Sequence, residues 1–307
     1  MPIYKQTDSK LIPIKEKKIG LEKTLQNLVE ANLSDVFGLS FVATEFPLKN
    51  LRVDTLAFDE EAKAFVVIEY KRDKNFTVID QGYAYLALLL NNKADFVLEY
   101  NERTKKNLRK DDIDWSQSRV MFVAQSFTKY QQKAIGFQDL PIELWEVKKY
   151  DEDLVSFNQV RATEKSESIK TVTKNKDIER VSREIKQYSV EDHIKPSWNT
   201  ARELFDEFSQ RVLELDLRFE IRPVKSYIGF RIGSKNVVNV KPKSSKVTIE
   251  LLRTQPQDIK DPEKKVTYMK NSYKFYNQHV SLFNIENEDD IDYAMLLVKQ
   301  VYKSFIE

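Results

Sequence analysis

Four consecutive apolar residues, Phe65-Val66-Val67-Ile68, run directly into Glu69-Tyr70-Lys71, and this segment sets the tightest limit on the fold. A strand wetted on one side alternates apolar with polar residues, whereas an unbroken apolar strand must be covered on both faces. The segment therefore predicts an interior strand over Ala64 to Lys71, in a sheet flanked by helices. Glu69 and Lys71 are two apart and project from the same face. An E-x-K pair alone reads most simply as an ion pair on a solvated edge strand. The apolar run in front of this one weighs against that.

The flanking sequence extends the sheet. Leu21, Leu25, Leu28 and Val29 carry the spacing of an amphipathic helix between Gly20 and about Phe37. Phe41 to Leu48 and Leu51 to Phe58 read as strands that precede Ala64 to Lys71, the last two joined by the polar turn 59–63. A helix is expected from Val78 to Asn91, with Thr77 as N-cap and Asp80 in its first turn. Strands follow at Asp95 to Tyr100, Arg119 to Gln125 and Ile142 to Lys149, with a short helix near Lys129 to Ile135.

From Gln159 to about Pro196 the chain turns polar and charged, which reads as a linker (159–196) with one helix near Ile178 to Tyr188. The expected domains are thus 1–158 and 197–307. The second begins with a helix from Trp198 to about Leu215. It continues with strands around Tyr227 to Ile232, Val237 to Lys241, Lys246 to Arg253 and Val280, and closes with a helix from Asp289 to Phe305.

Composition then limits the chemistry. The 307 residues include no cysteine, which excludes disulfides, thiolate nucleophiles and cysteine-ligated metals, and the two histidines, His193 and His279, are far apart. A catalytic metal must be held by carboxylates and carbonyls, the ligands of Mg²⁺, Mn²⁺ or Ca²⁺. The N-terminus lacks the apolar core of a signal peptide and the apolar stretch Ala84 to Leu90 is far too short to span a bilayer, so a cytoplasmic protein without membrane attachment is expected. A formal net charge of +2, from 50 basic and 48 acidic residues, gives no global field for nucleic acid. Phosphate binding would have to come from local patches.

Asp54 lies on the strand before Glu69 and Lys71. It shares their face if the register sets it level with Val67, Glu69 or Lys71, which a four-residue turn gives and a five-residue turn does not. The sequence leaves both registers open. On a shared face, two carboxylates hold a divalent cation against a phosphodiester beside an ammonium group. Lys71 then either orients water and stabilises developing charge or acts as general base. The first is favoured, because the second needs a pKa roughly three units below the usual value of about 10.4.

Arg52-Val53-Asp54, the strand ending Val67-Ile-Glu-Tyr-Lys71 and the helix residues Gln81-Gly-Tyr-Ala-Tyr85 together resemble the PD-(D/E)xK nuclease superfamily, in particular its RecB-like and archaeal NucS-like branches. The resemblance covers roughly residues 15 to 150. It departs where Arg52-Val53 stands in place of the proline before the Asp. It implies an α/β restriction-endonuclease-like N-terminal domain, a mixed sheet flanked by helices, alongside a smaller α+β C-terminal domain. It also implies catalytic Asp54, Glu69 and Lys71, with Asp54 and Glu69 on Mg²⁺ (or Mn²⁺), and Gln81 and Tyr85 toward the substrate, nucleic acid and most simply DNA. Members often add a metal-binding glutamate from the first helix. Glu22 borders that helix's apolar face while Glu30 points nearly opposite, so Glu22 is chosen. The competing function is a non-catalytic nucleic-acid-binding or scaffold protein that keeps the fold, and a homodimer is left open.

Other features read more plainly. Gln81 and Tyr85 serve equally well as a helix-start amide and a core tyrosine, and Gly82 suits close approach of either a phosphate backbone or another helix. Arg103, Lys105, Lys106, Arg109 and Lys110 read as a solvated loop. Lys241, Lys243 and Lys246, with Tyr268, Tyr273, Phe275 and Tyr276, interleave charge with rings as single-strand binders do, but core packing is preferred. The C-terminal region also resembles an uncharacterised domain found in proteins labelled predicted transporters, a role that nothing here able to span a bilayer would serve.

Overall fold

The computed structural model describes residues 2–48, 51–72, 77–136, 140–160 and 176–306. They form two compact units, residues 1–59 with 63–186 and residues 60–62 with 187–307.

The first unit is built on a seven-stranded mixed sheet. A two-stranded hairpin, β1 (Ile3–Thr7) with β2 (Lys10–Ile14), precedes it and is almost wholly exposed. The short β3 (Glu16–Lys17) then leads into α1 (Glu22–Ala31) and a π-helical turn, Leu33–Phe37. β4 (Ser40–Leu48), β5 (Leu51–Asp59) and β6 (Ala64–Lys71) follow as an antiparallel meander. α2 (Val78–Asn91) and α3 (Lys93–Thr104) carry the chain over to β7 (Arg119–Ala124), which lies parallel to β6. α4 (Lys129–Ala134) makes the next crossover to β8 (Ile142–Tyr150), parallel to β7. β9 (Val155–Val160) and β3 add antiparallel strands to β8.

β6 is buried along almost its whole length, as its apolar run requires. Alternate residues feed two cores. Phe65 and Val67 join Leu56, Phe58 and Phe122 under α2 and α3, while Val66, Ile68 and Tyr70 join Leu25, Val29 and Phe37 under α1 and the π-turn. Each such side chain contributes roughly 1.5–3 kcal/mol by leaving water.

Three sequence expectations change here. Asp95 to Tyr100 is part of α3, not a strand: Phe96 and Tyr100, one helical turn apart, are buried against Phe65 and Phe58 with ring centroids 5.6 and 4.8 Å apart. Its β-favouring residues are overridden by this aromatic packing. Arg103 accordingly lies on α3, and Lys105 ends it in the left-handed conformation at φ 57°. Thr77 precedes α2 in extended conformation, but its side chain makes no capping bond. The segment expected as a linker begins inside β9 and, beyond residues 161–175, which lie outside the described residues, supplies α5 (Lys176–Glu184). Ile178, Val181 and Ile185 bury that helix's apolar stripe in the α2 core.

Gly82 is explained by packing. A Cβ there would sit 2.3 Å from Ile142 Cδ1 and 2.9 Å from Cγ1, so α2 lies directly on the β8 side chain. At the far end of the sheet, Arg119 is buried and pairs with Asp59 (3.0 Å) and Glu143 (2.8 Å).

In the second unit, α6 (Asn199–Leu215) precedes β10 (Phe219–Val224), β11 (Tyr227–Ile232), β12 (Lys235–Lys243) and β13 (Lys246–Leu252). Two-residue loops join the four strands, and Gly233, at φ +61°, supplies the left-handed residue of the second loop. β14 (Thr267–Tyr268), α7 (Ser272–Tyr276), β15 (Val280–Ile285) and α8 (Asp289–Ile306) complete it. The sheet is antiparallel in the order β10-β11-β12-β13-β15-β14. Phe208 and Val212 of α6 and Leu297 and Val298 of α8 share a core with Phe230, Val240, Ile249 and Phe283 of the sheet. Among the described residues no helix is long and apolar enough to cross a membrane.

Candidate active site

The β5–β6 register runs from Asp59↔Ala64 to Thr55↔Ile68, so the connecting turn has the four residues 60–63. Carried one step further, the register sets Asp54 across from Glu69. There the two strands part. The Tyr70 N–H donates to Asp54 Oδ2 (3.1 Å), and the Asp54 carbonyl accepts from Gln26 Nε2 (2.8 Å). Side chains thus replace the ladder bonds lost at the splay, as buried backbone groups demand. β6 stays paired with β7 as far as Lys71↔Ala124, so the opening lies beside the C-terminal end of a parallel strand.

Asp54, Glu69 and Lys71 all project toward the face covered by α2, since they alternate in phase with Leu56, Phe58, Phe65 and Val67. Lys71 Nζ lies 2.8 Å from Glu69 Oε1. Glu69 is 6% exposed and its second oxygen, Oε2, is buried without a hydrogen-bond partner. Burial, and then the Glu69 charge, pushes the Asp54 carboxyl up to about 6, against the Tyr70 N–H and the Lys71 charge, which pull it down. Tyr85 of α2 is half-buried, and burial together with the Glu69 and Asp54 charges holds its phenol well above the usual range. One turn earlier, Gln81 buries its Oε1 without a partner. The fold therefore brings together Asp54, Glu69, Lys71 and Tyr85, with Gln81 on the same helix.

Two facing carboxylates, one with an unpartnered buried oxygen and the other raised by burial and by its neighbour's charge, suit a hard divalent cation such as Mg²⁺ or Mn²⁺. Among the described residues no group of three or more histidine and acidic side chains could cage an ion. A cation held by Asp54 and Glu69 would keep its remaining positions for water and phosphate oxygens, as Mg²⁺ commonly does.

Glu22 does not join this pair. α1 covers the opposite face of the sheet, and Glu22 is exposed, its Oε1 accepting from the Arg72 N–H (2.7 Å) just past the end of β6. Glu30 does not point to solvent either: its Oε1 accepts from Thr55 Oγ1 (2.5 Å) and from Gln26 Nε2 (3.0 Å). Between them Gln26, 4% exposed, also donates to Thr44 Oγ1 (3.0 Å). Sequence reasoning missed Gln26, whose signal was a polar residue beside Leu25 in the buried stripe. It also missed Glu45, which faces Asp54 from β4 at φ +51°, raises the Asp54 carboxyl through its charge and pairs with Arg52 (2.6 Å) and Lys23 (3.2 Å).

Relatives extend across both units. A family model described as "Domain of unknown function (DUF5655)" matches residues 190–304. Over 306 residues the chain is 40% identical to a protein of Haemophilus influenzae described as an uncharacterized protein, covering 99% of this chain and 100% of that one. The chain belongs to that protein's family. The similarity runs through both units of this chain. A solved structure, a repair endonuclease from Pyrococcus abyssi, is similar at 22% identity over 43% of this chain and 49% of that one. The TM-score is 0.25, too low to carry a fold assignment.

Proposed function

We propose that this protein is a metal-dependent nuclease that hydrolyses phosphodiester bonds of DNA, with Asp54 and Glu69 holding Mg²⁺ (or Mn²⁺) and Lys71 positioning the attacking water. The observation that carries the reading is the register: Asp54 falls across from Glu69, with the Lys71 ammonium 2.8 Å from Glu69 and the strands splayed around them. The order of one helix, three antiparallel strands with Asp on the second and Glu-x-Lys on the third, then a helix with Gln81 and Tyr85, agrees with a restriction-endonuclease-like core.

Bound between the carboxylates, the cation would polarise a phosphoryl oxygen and lower the pKa of water. Glu69 and Asp54, carried on buried, hydrogen-bonded backbone, would hold it. Lys71, tethered by Glu69, offers charge where the phosphorane accumulates it. Tyr85 and Gln81 line the α2 side, where their polar atoms orient the phosphate backbone. The same reading puts the enzyme in the cytoplasm, in DNA repair or defence against foreign DNA.

The test compares wild type with Lys71→Ala and Asp54→Ala on labelled single-stranded, double-stranded and branched DNA and on RNA, with Mg²⁺, Mn²⁺ or EDTA. Metal-dependent cutting that falls at least about 10²-fold in both folded variants supports the proposal. Equal behaviour of all three proteins sinks it. The lack of a third acidic ligand among the described residues favours one alternative, a non-catalytic nucleic-acid-binding protein, which would bind these substrates and cut none.

A further inference from the structure

Residues 264–279 hold Lys264, Lys265, Lys270 and Lys274 with Tyr268, Tyr273, Phe275 and Tyr276, and no acidic residue. The structure separates Tyr276 from Tyr268 and Tyr273. Tyr276 is drawn inward: its hydroxyl meets Lys241 Nζ (2.9 Å) and Glu250 Oε1 (3.4 Å), and Lys241 is itself bound to the buried Glu250 (2.5 Å). Tyr268 and Tyr273 instead stand out from the end of the sheet, 39% and 57% exposed. Both lie around His279, with ring centroids 5.9 and 5.2 Å from its imidazole at tilts of 50° and 58°.

Tyr268 is held in place by its rim. Its hydroxyl bonds to His279 Nδ1 (2.9 Å) and accepts from Ser272 Oγ (3.1 Å), and Ser272 is fully buried. Anchored at the hydroxyl, the side chain keeps its tip at one place, so less of its freedom is lost when something stacks on it. Tyr268 sits on β14, the terminal strand of the sheet, and α7, which carries Tyr273, is entered and left through Asn271 (φ 62°) and Asn277 (φ 54°). Exposed Lys270 lies between the two tyrosines in sequence.

We propose that Tyr268, Tyr273 and His279 form a stacking platform for unpaired nucleobases, with Lys270 meeting the phosphate backbone, so that the C-terminal unit binds single-stranded nucleic acid. Lys265 is engaged by Glu263 (2.8 Å) and Asp290 (3.5 Å), which leaves the open rings and the exposed Lys270 to match what a single strand offers, flat bases on a polyanion. A base-paired duplex keeps its bases stacked on one another and offers only phosphates. The proposal concerns binding and does not need the Asp54 site to be active.

The test is fluorescence anisotropy of the full chain in EDTA, which prevents cutting, with labelled dT15, U15 and a 15-base-pair duplex. Wild type should bind dT15, U15 or both more tightly than the duplex, and whichever is preferred names the sugar. Tyr273→Ala and Tyr268→Ala should each weaken single-strand binding by about 5- to 150-fold, Tyr273→Phe should restore it, and Lys270→Ala should lower the salt dependence by roughly one phosphate contact. Photocrosslinking of wild type to iodouracil-substituted single strands gives a readout independent of variant folding and should map to Tyr268 or Tyr273. Crosslinks only elsewhere, alanine variants that bind like wild type, or a preference for the duplex would each overturn the proposal.

Discussion

Asp54→Asn is expected to abolish cleavage and to make the metal-free protein more stable at alkaline pH. The Asp54 carboxyl is raised from 3.8 to about 6 by burial and the facing Glu69 charge. Between those values the folded chain keeps a proton that the unfolded chain has released. The folded state is therefore favoured at low pH, and that advantage is lost as pH rises from about 4 to about 6. A shift of roughly two units corresponds to about 3 kcal/mol. Asp54 is only partly buried, and solvent screening reduces the figure to about 1–2 kcal/mol. Asparagine keeps an acceptor for the Tyr70 N–H and carries no charge to repel Glu69.

The assay is urea denaturation of wild type and variant in EDTA, at pH 4 and pH 8. At pH 8 the variant should be the more stable by about 1–2 kcal/mol, a rise of about 2–8 °C in Tm for a unit of this size. At pH 4 the two should agree within about 0.5 kcal/mol. Mg²⁺ should then reverse the order at pH 8, since a ligand bound only by the folded state at a hundredfold excess over Kd adds about 2.7 kcal/mol. A variant less stable than wild type at pH 8, or a difference that does not change between pH 4 and pH 8, would refute the electrostatic account of the facing carboxylates.

Gly82→Ala should cost about 1–3 kcal/mol despite the better helix propensity of alanine, because its Cβ would meet Ile142 at 2.3 Å, and adding Ile142→Val should recover part of the loss; a stabilised single variant would remove the close-packing explanation. Gln26→Ala leaves the Asp54 carbonyl without its side-chain donor and should destabilise by about 1–3 kcal/mol in chemical denaturation, and an unchanged midpoint would show that the splay does not need it. Arg119→Met removes the cation that Asp59 and Glu143 share and should cost about 3–5 kcal/mol at pH 8 and less at pH 4, where the carboxylates protonate; a loss independent of pH would point to packing instead of charge.

The position of β6 was legible because an unbroken apolar run admits few environments, and its predicted bounds, Ala64 to Lys71, coincide with the observed ones. Its register was not legible, because the polar turn 59–63 admits a four- or five-residue connection and Asp59 pairs with Ala64 only once both strands are packed. Asp95 to Tyr100 misled for a related reason: Phe96, Val97 and Tyr100 favour strands one by one, and only the aromatic partners supplied by β5 and β6 make the helix better. The first helix is the most instructive case. Its apolar residues place the buried face around Leu21, Leu25, Leu28 and Val29, and Leu25 and Val29 are indeed buried, yet Leu21 is 63% exposed and Gln26 is buried in its stead. The helix is turned by roughly 60° relative to its apolar stripe. The sheet beneath it offers hydrogen-bonding partners, namely the freed Asp54 carbonyl, Thr44 and Thr55, and Gln26 and Glu30 turn inward to meet them. That rotation carries Glu30 in from solvent and leaves Glu22 at the strand end. The helix therefore serves the β5 splay by holding its backbone from behind, and Gln26→Ala tests that support without touching either carboxylate of the pair.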